Sequence, residues 1–235
     1  MKKMPKNVFD LEELREKTQV FRDRPQAGDV LCGLLQSYQA ADGLLLAIPA
    51  GGLPVADVIR KKLALEMDVA VVSKITLPWN TEAGYGAVSF NETVRLNQRM
   101  LAHAGLSENQ IQKGTAKTLQ KVRRRIKLLR GERPFPELHQ RPVILVDDGL
   151  ASGFTMLVAV ESVQKAGAGK IAVAVPTGHL DAVERIAGKV NEVFCPNVRS
   201  GMSFAVADAY ERWSDVTEKE LLDILNQRPA AALGV

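Results

Sequence analysis

The sequence predicts an α/β protein built on a doubly wound, mostly parallel sheet. Three observations lead there. Short unbroken apolar runs recur at Leu44–Ile48, Val69–Val72, Val143–Val146 and Ile171–Val175, as expected of strands buried on both faces, and Val190–Cys195 reads as a further strand. Segments with apolar residues at helical spacing follow them, such as Val55, Val58, Ile59 and Leu63, or Leu180, Val183 and Ile186. Several runs also deliver the chain into a small-residue turn that opens the next helix, at 49–54, 147–155 and 176–179. Sheets of this kind place ligands outside the carboxyl ends of their strands. With 235 residues, 46% of them hydrophobic, the chain can bury a substantial core as one large domain.

Composition narrows the partners. The 31 Lys and Arg against 27 Asp and Glu give a net charge of +4, too slight to imply nucleic acid and equally suited to a phosphorylated small anion. Cys32 and Cys195 lack metal-type spacing and read as buried free thiols of a reducing compartment. No apolar run follows the N-terminal lysines, so no signal peptide is expected. The longest uncharged stretch, Gly43–Ala56, carries two prolines and falls short of the roughly twenty residues a membrane span needs. A cytoplasmic protein with no membrane partner is the expectation. No internal repeat or low-complexity tract is evident.

In chain order, Asp10 is placed to cap a short helix through Leu14, and Val30, Leu31, Leu34 and Leu35 predict a helix over 27–38. The strand at Leu44–Ile48 ends in Pro49-Ala50-Gly51-Gly52-Leu53-Pro54, where a glycine turn at a helix N-terminus makes a potential anion site; an ordinary βα turn is the alternative. The strand at Val69–Val72 ends in Ser73-Lys74, a lysine suited to neutralising ligand phosphate or simply to solvent. The Pro-, Gly- and Asn-rich stretch 76–97 reads as a long loop, with Glu82, Tyr85 and Arg95 as candidate lid residues. Ala87–Phe90 and Thr93–Leu96 pairing as a hairpin is the alternative. Ser107 and Gln110 form a capping box for a helix to about Leu129, stopped by Gly131. Its Arg123-Arg124-Arg125 and Lys127 spread around the helix and read as a solvated face; one arginine reaching a ligand phosphate is the functional alternative. His103 and His139 read as surface residues.

The most informative stretch is Val143-Ile144-Leu145-Val146-Asp147-Asp148-Gly149-Leu150-Ala151-Ser152-Gly153-Phe154-Thr155. A buried strand delivers two adjacent carboxylates, then a turn whose amides, with the positive end of the following helix, converge on one small volume. The Ser152 and Thr155 hydroxyls can add hydrogen bonds. Phosphate at one end of a ligand with hydroxyls and a divalent metal beside it suits this arrangement: a sugar phosphate fits. The Walker lysine and the distant acid of the dinucleotide fingerprint are both missing.

This stretch resembles the phosphoribosyl pyrophosphate (PRPP) signature of the type I phosphoribosyltransferases, with Asp147, Asp148, Ser152, Gly153 and Thr155 falling on the pattern in order. Phe21–Leu35 resembles the opening of a group of predicted phosphoribosyltransferases with no settled substrate. The resemblance implies a transferase moving 5-phosphoribose from PRPP to a nitrogen acceptor, such as a nucleobase, with release of pyrophosphate and Mg²⁺ as cofactor. It implies that Asp147 and Asp148 hold the ribose hydroxyls and metal-bound water. It gives 5-phosphate binding to Gly149, Leu150, Ala151, Ser152, Gly153, Phe154 and Thr155. Pyrophosphate falls to Ala50, Gly51, Gly52 and Lys74, with a non-proline cis peptide expected at Ala50–Gly51. It implies a flexible loop over the ribose, a homodimer, and a small hood over the acceptor built from terminal segments. The expected division is residues 1–40 as an N-terminal helical part of the hood, 41–200 as the core, and 201–235 as the C-terminal hood segment and tail.

In the family the 176–179 turn lies near acceptor or PRPP, making His179 a candidate contact beside its structural reading. Tyr210 and Trp213 are candidates to stack on a base or to pack against the sheet. Gly149 and Leu150 stand where many members have β-branched residues, and Ser152 where Thr is commoner; Gly149 is expected to loosen the cradle. A non-catalytic PRPP or nucleotide sensor, and a phosphoribohydrolase-like enzyme, are the competing readings.

Overall fold

The structure is a computed structural model and describes residues 4–227. After a two-residue strand β1 (Val8–Phe9), helix α1 (Arg24–Leu34) is capped by the Asp23 carboxylate, which accepts from the Gln26 amide. Strand β2 (Leu44–Ala47) leads into α2 (Gly52–Leu63), and β3 (Glu66–Val69) follows. Strands β4 (Val72–Leu77), β5 (Asn80–Ser89) and β6 (Val94–Leu96) form a separate antiparallel sheet. Helix α3 (Gln98–Ala104) precedes α4 (Glu108–Arg130), whose Ser107–Gln110 capping box and Gly131 terminus match the sequence expectation. Strand β7 (Val143–Val146), α5 (Phe154–Lys165), β8 (Ile171–Ala174), β9 (Thr177–His179), α6 (Leu180–Ala187), β10 (Glu192–Phe194) and β11 (Asn197–Arg199) come next. Helix α7 (Glu218–Asn226) ends the described chain, held by a Thr217–Glu220 capping box.

Six strands make an all-parallel sheet in the order β1-β10-β8-β7-β2-β3. Every residue of β2 and β7 is fully buried, so their unbroken apolar runs face packed material on both sides. The chain steps outward from β2 to β3, then returns to β7 on the other side of β2 and continues to β8 and β10. The winding direction therefore reverses between β2 and β7, and the carboxyl ends of these two strands are where sheets of this kind place ligands.

Several expectations need correction. Val69–Val72 is not one strand: Ala70 donates to the Ala47 carbonyl at the end of the β2–β3 ladder, and Val72 begins the second sheet. Strand β3 instead starts at Glu66, and its Asp68 is buried beside Arg130, which also donates to the Val69 carbonyl at 2.7 Å. Lys74 thus sits within β4, opposite Ala87 rather than at the end of a central strand, with its aliphatic stem over Gly84.

Residues 76–97 are mostly hairpin instead of loop. Gly86, Ala87 and Val88 pair with Leu96, Arg95 and Val94, and β5 is apolar on both sides, with Tyr85 and Ala87 on one face and Val88 on the other all buried where the strand contacts α4, α5 and β4. The N-terminus also departs from expectation. Asp10 forms an ion pair with Arg15 in place of a helix cap, Glu12–Leu14 is a single 3₁₀ turn, and Val8–Phe9 joins the main sheet beside β10. Strands β9 and β11 form a short parallel pair of their own, unforeseen because three residues carry no readable period.

The terminal segments meet above the carboxyl edge. Phe21 donates to the Ala209 carbonyl at 3.0 Å, and Glu211 donates to the Phe21 carbonyl at 2.8 Å. Phe21, Ala27, Ala209 and Tyr210 form a second small core. Leu221 and Leu225 of α7 are buried, and α7 packs on α2. The expected frayed end from Arg228 onward lies outside the described residues.

Tyr85 is only 1% exposed, and a Cβ on Gly114 of α4 would overlap its hydroxyl. Gly114→Ala should therefore destabilise the fold by about 1–3 kcal/mol through overpacking, read as a lower urea midpoint. A midpoint equal to that of the parent protein would show that the hairpin is not seated on α4 in solution.

Candidate active site

The site grows from the two loops that leave β2 and β7 at the reversal. In the first, the chain turns within Pro49–Gly51 and enters α2. The cis peptide is Pro49–Ala50, one bond earlier than expected, and Gly51 already has helical dihedrals (φ −64°, ψ −30°) as the residue heading α2. The Gly52 amide donates to the Ile48 carbonyl at 3.0 Å, which removes it from the expected pyrophosphate donors. The amides of Ala50 and Gly51 have no acceptor among the described residues.

In the second loop, the Asp148 amide donates to Asp147 Oδ1 at 2.9 Å, and both residues directly follow the carboxyl end of β7. The loops touch. A Cβ on Gly51 would overlap the Asp148 carboxylate, and one on Gly52 would collide with the Val146 carbonyl. Both positions therefore demand glycine for reasons of space, and the acidic pair lies directly against the glycine turn.

Beyond the pair, Leu150 is not a free phosphate donor. It is buried, its amide donates to the Thr177 carbonyl at 2.9 Å, and its carbonyl accepts from His179 at 2.8 Å, tying the loop to β9. Gly149 does not loosen the cradle, because Val206 of the C-terminal segment occupies the space a side chain would need. The amides of Ala151, Ser152 and Gly153 lack acceptors among the described residues. The Phe154 amide reaches Ser152 Oγ at 3.4 Å, and the amides of Thr155 and Met156 lie in the first turn of α5, where helix geometry supplies no partner. Gly153 heads α5 at φ +69°, a left-handed conformation natural to glycine. Arg185 of α6 donates to the Ser152 carbonyl, putting beside the loop a cation that the sequence did not single out.

The terminal segments add more. Arg24 Nε donates to Asp148 Oδ2 at 2.9 Å, and the Tyr210 hydroxyl donates to the Asp148 carbonyl at 2.6 Å. Tyr210 is buried beside Phe21 and Trp213, in the small second core instead of against the sheet. The ring of His179 caps α6, accepting from the Asp181 amide, and meets Phe204 edge to face with centroids 5.6 Å apart. In sequence Arg24 marks only a helix boundary; its spatial partner 124 residues away has no local signature.

Two of the lid candidates lie elsewhere. Tyr85 is in the core, and Arg95 is ion-paired with Glu161 of α5. The Glu82 side chain lies outside the described residues. His103 and His139 stay at the surface, accepting or donating locally to Arg99 and Glu137. Cys32 and Cys195 are buried free thiols, and burial raises the pKa of both.

Burial, reinforced by the neighbouring charge of Asp148, pushes the Asp147 carboxyl well above the ordinary carboxylate range. Among the described residues no group of three or more His, Cys, Asp or Glu could hold a metal by itself. No helix among them is long and apolar enough to cross a membrane.

The profile of the family described as the phosphoribosyl transferase domain matches residues 27–209, most of the chain. The chain belongs to the phosphoribosyl transferase domain family. Two Mycobacterium tuberculosis proteins, from strains CDC 1551 / Oshkosh and ATCC 25618 / H37Rv, are 31% identical over 208 residues, and their names give them provisionally as phosphoribosyl transferases. The match covers 88% of this chain and 47% of theirs, so the chain spans about half the length of these curated relatives. The crystal structure of TT1426 from Thermus thermophilus superposes with a TM-score of 0.71 at 32% identity, over 87% of this chain and 97% of that one. Family and neighbour agree with the mixed α/β architecture and its mostly parallel sheet.

The raised Asp147 carboxyl carries a sign. An acid whose pKa is higher in the folded chain binds more protons folded than unfolded, so stability falls as pH rises from about 4 through the folded value. Asp147→Asn should raise the melting temperature at pH 7.5 by a few degrees, with the gain shrinking toward pH 4. Equal melting temperatures at both pH values would contradict a desolvated Asp147.

Proposed function

We propose that the chain transfers 5-phosphoribose from PRPP to a nitrogen acceptor, releasing pyrophosphate. The supporting observation is that the two loops meet at the β2–β7 reversal, with the Asp148 carboxylate against Gly51. A ligand spanning the two loops has hydroxyls at the acidic pair, one phosphate at α5 and further phosphates at the glycine turn.

In this reading Ala151–Thr155 bind the 5-phosphate through turn amides, the α5 dipole and the Ser152 and Thr155 hydroxyls. Ala50 and Gly51 offer amides to the pyrophosphate. Lys74 stands as a further pyrophosphate candidate from β4, its reach set by the second sheet. Asp147 and Asp148 accept from the ribose 2- and 3-hydroxyls, and their negative charge favours the cationic ribose formed as the anomeric C–O bond breaks and the C–N bond forms.

The donor set suits Mg²⁺ only in company with the substrate. Two carboxylates, one already shared with Arg24, match an ion that keeps several waters and takes its other ligands from phosphates. Asp147 and Asp148 would hold it through water or ribose hydroxyls, and the ion would neutralise the leaving pyrophosphate. Entry of a cation beside the pair would favour loss of the Asp147 proton.

Incubation with PRPP, Mg²⁺ and a panel of purine and pyrimidine bases, monitored for pyrophosphate, tests the reading. Release that depends on one base supports transfer. Release without any base points to hydrolysis, and tight PRPP binding without turnover points to a sensor. Asp147→Asn combined with Asp148→Asn should reduce turnover at least about a hundredfold, the scale of losing a main electrostatic contact, while the circular dichroism spectrum is kept. Turnover unchanged in the double variant would remove the acidic pair from the chemistry.

A further inference from the structure

Arg24 opens α1, is 9% exposed, and its guanidinium is held on three sides. Nε donates to Asp148 Oδ2 at 2.9 Å, Nη1 donates to the Ser214 carbonyl at 2.8 Å, and the plane lies 3.9 Å from the centroid of the Trp213 ring. Tyr210, from the same C-terminal segment, binds the Asp148 carbonyl. One residue of the acidic pair is thus gripped twice, at its side chain from the N-terminal helix and at its backbone from the C-terminal segment.

Two further constraints bear on that carboxylate. Gly51 lies against it, and the neighbouring Asp147 carries a like charge when ionised. Repulsion from an ionised Asp147 and hydration by solvent both favour swinging the Asp148 side chain away from Gly51. A planar donor anchored to a carbonyl and an aromatic ring opposes this with a fixed direction as well as a charge, which a lysine ammonium on a flexible stem cannot do.

We propose that Arg24 is a positioning residue for the acidic pair. It takes Asp148 Oδ2, fixes the carboxylate against Gly51, and leaves Oδ1 as the oxygen for the ribose diol. The ion pair further links the pair to Ser214 and Trp213, so the C-terminal segment and the ribose site are mechanically connected. This rests on the phosphoribosyl reading above and names how one of its residues is set.

The test is a double-mutant cycle on Mg²⁺·PRPP affinity, measured by calorimetry with the intact chain. Arg24→Ala should weaken binding at least about tenfold, as loss of the partner of a ligating carboxylate typically does. Arg24→Lys, which keeps the charge and loses the fork, should weaken it as well. In an Asp148→Asn background, Arg24→Ala should change affinity less than about twofold, the near-additive limit for a residue whose partner is already gone. Melting temperatures identify any variant that fails to fold, and Arg24→Gln then replaces Arg24→Ala in the same cycle. Equal losses in both backgrounds, or Arg24→Lys binding like the parent, would overturn the positioning role. A parent chain that does not bind Mg²⁺·PRPP overturns the functional reading itself, an outcome distinct from either.

Discussion

The parallel pairing of β2 with β7 is the constraint on which the site depends. Leu44, Leu45, Leu46 and Ala47 align with Val143, Ile144, Leu145 and Val146, and all eight are fully buried. Burial at about 1.5–3 kcal/mol for each large aliphatic side chain makes this pair a strongly specified part of the molecule. Both faces of this pair are close-packed, so a slip of one residue would exchange side chains of different shape between two filled faces and cost packing on each, which opposes a shift of register. Fixed register means fixed loop origins: Ile48 and Asp147 leave neighbouring strands at the same height. The glycines at 51 and 52 then allow the two loops to close on each other, because a side chain at either position would displace Asp148 or the Val146 carbonyl.

What the fold assembles there is electrostatically unfavourable when empty. Two adjacent carboxylates, one desolvated, would each be more stable in water. The fold offsets this with the Asp148 amide on Asp147, the Arg24 ion pair on Asp148, and an elevated Asp147 pKa that reduces the charge. A cationic or hydroxyl-rich guest relieves the same tension. This is a common pattern in binding sites, where local stability is lower than the surrounding core would allow.

Much of the fold was legible because its signals are local. Buried strands announce themselves as apolar runs, α4 through its capping box and Gly131, and the phosphate-type turn through acids followed by small residues. What was not legible depends on distant partners. The 76–97 stretch has loop composition, yet Tyr85, Ala87 and Val88 find an apolar bed on α4 and α5 that no window of sequence displays. Lys74 lies one sheet away from its expected position because Val69–Val72 spans a break between two sheets. In the site, the acidic pair and glycine turn were readable. The engagement of the Leu150 and Gly52 amides was not, since their acceptors, Thr177 and Ile48, are set by β9 and by the turn geometry. Arg24 was invisible for the same reason.

Under the proposed function, the β2–β7 reversal receives a phosphoribosyl group through the acidic pair, the α5 turn and the glycine turn together. A crystal structure of the chain grown with Mg²⁺ and PRPP tests it most directly. The account predicts the ribose 2- and 3-hydroxyls within hydrogen-bond distance of Asp147 and Asp148, the 5-phosphate on the Ala151–Thr155 amides, and the pyrophosphate facing Ala50 and Gly51. Ribose density elsewhere, or a sugar diphosphate bound with both aspartates turned away from it, would contradict the account.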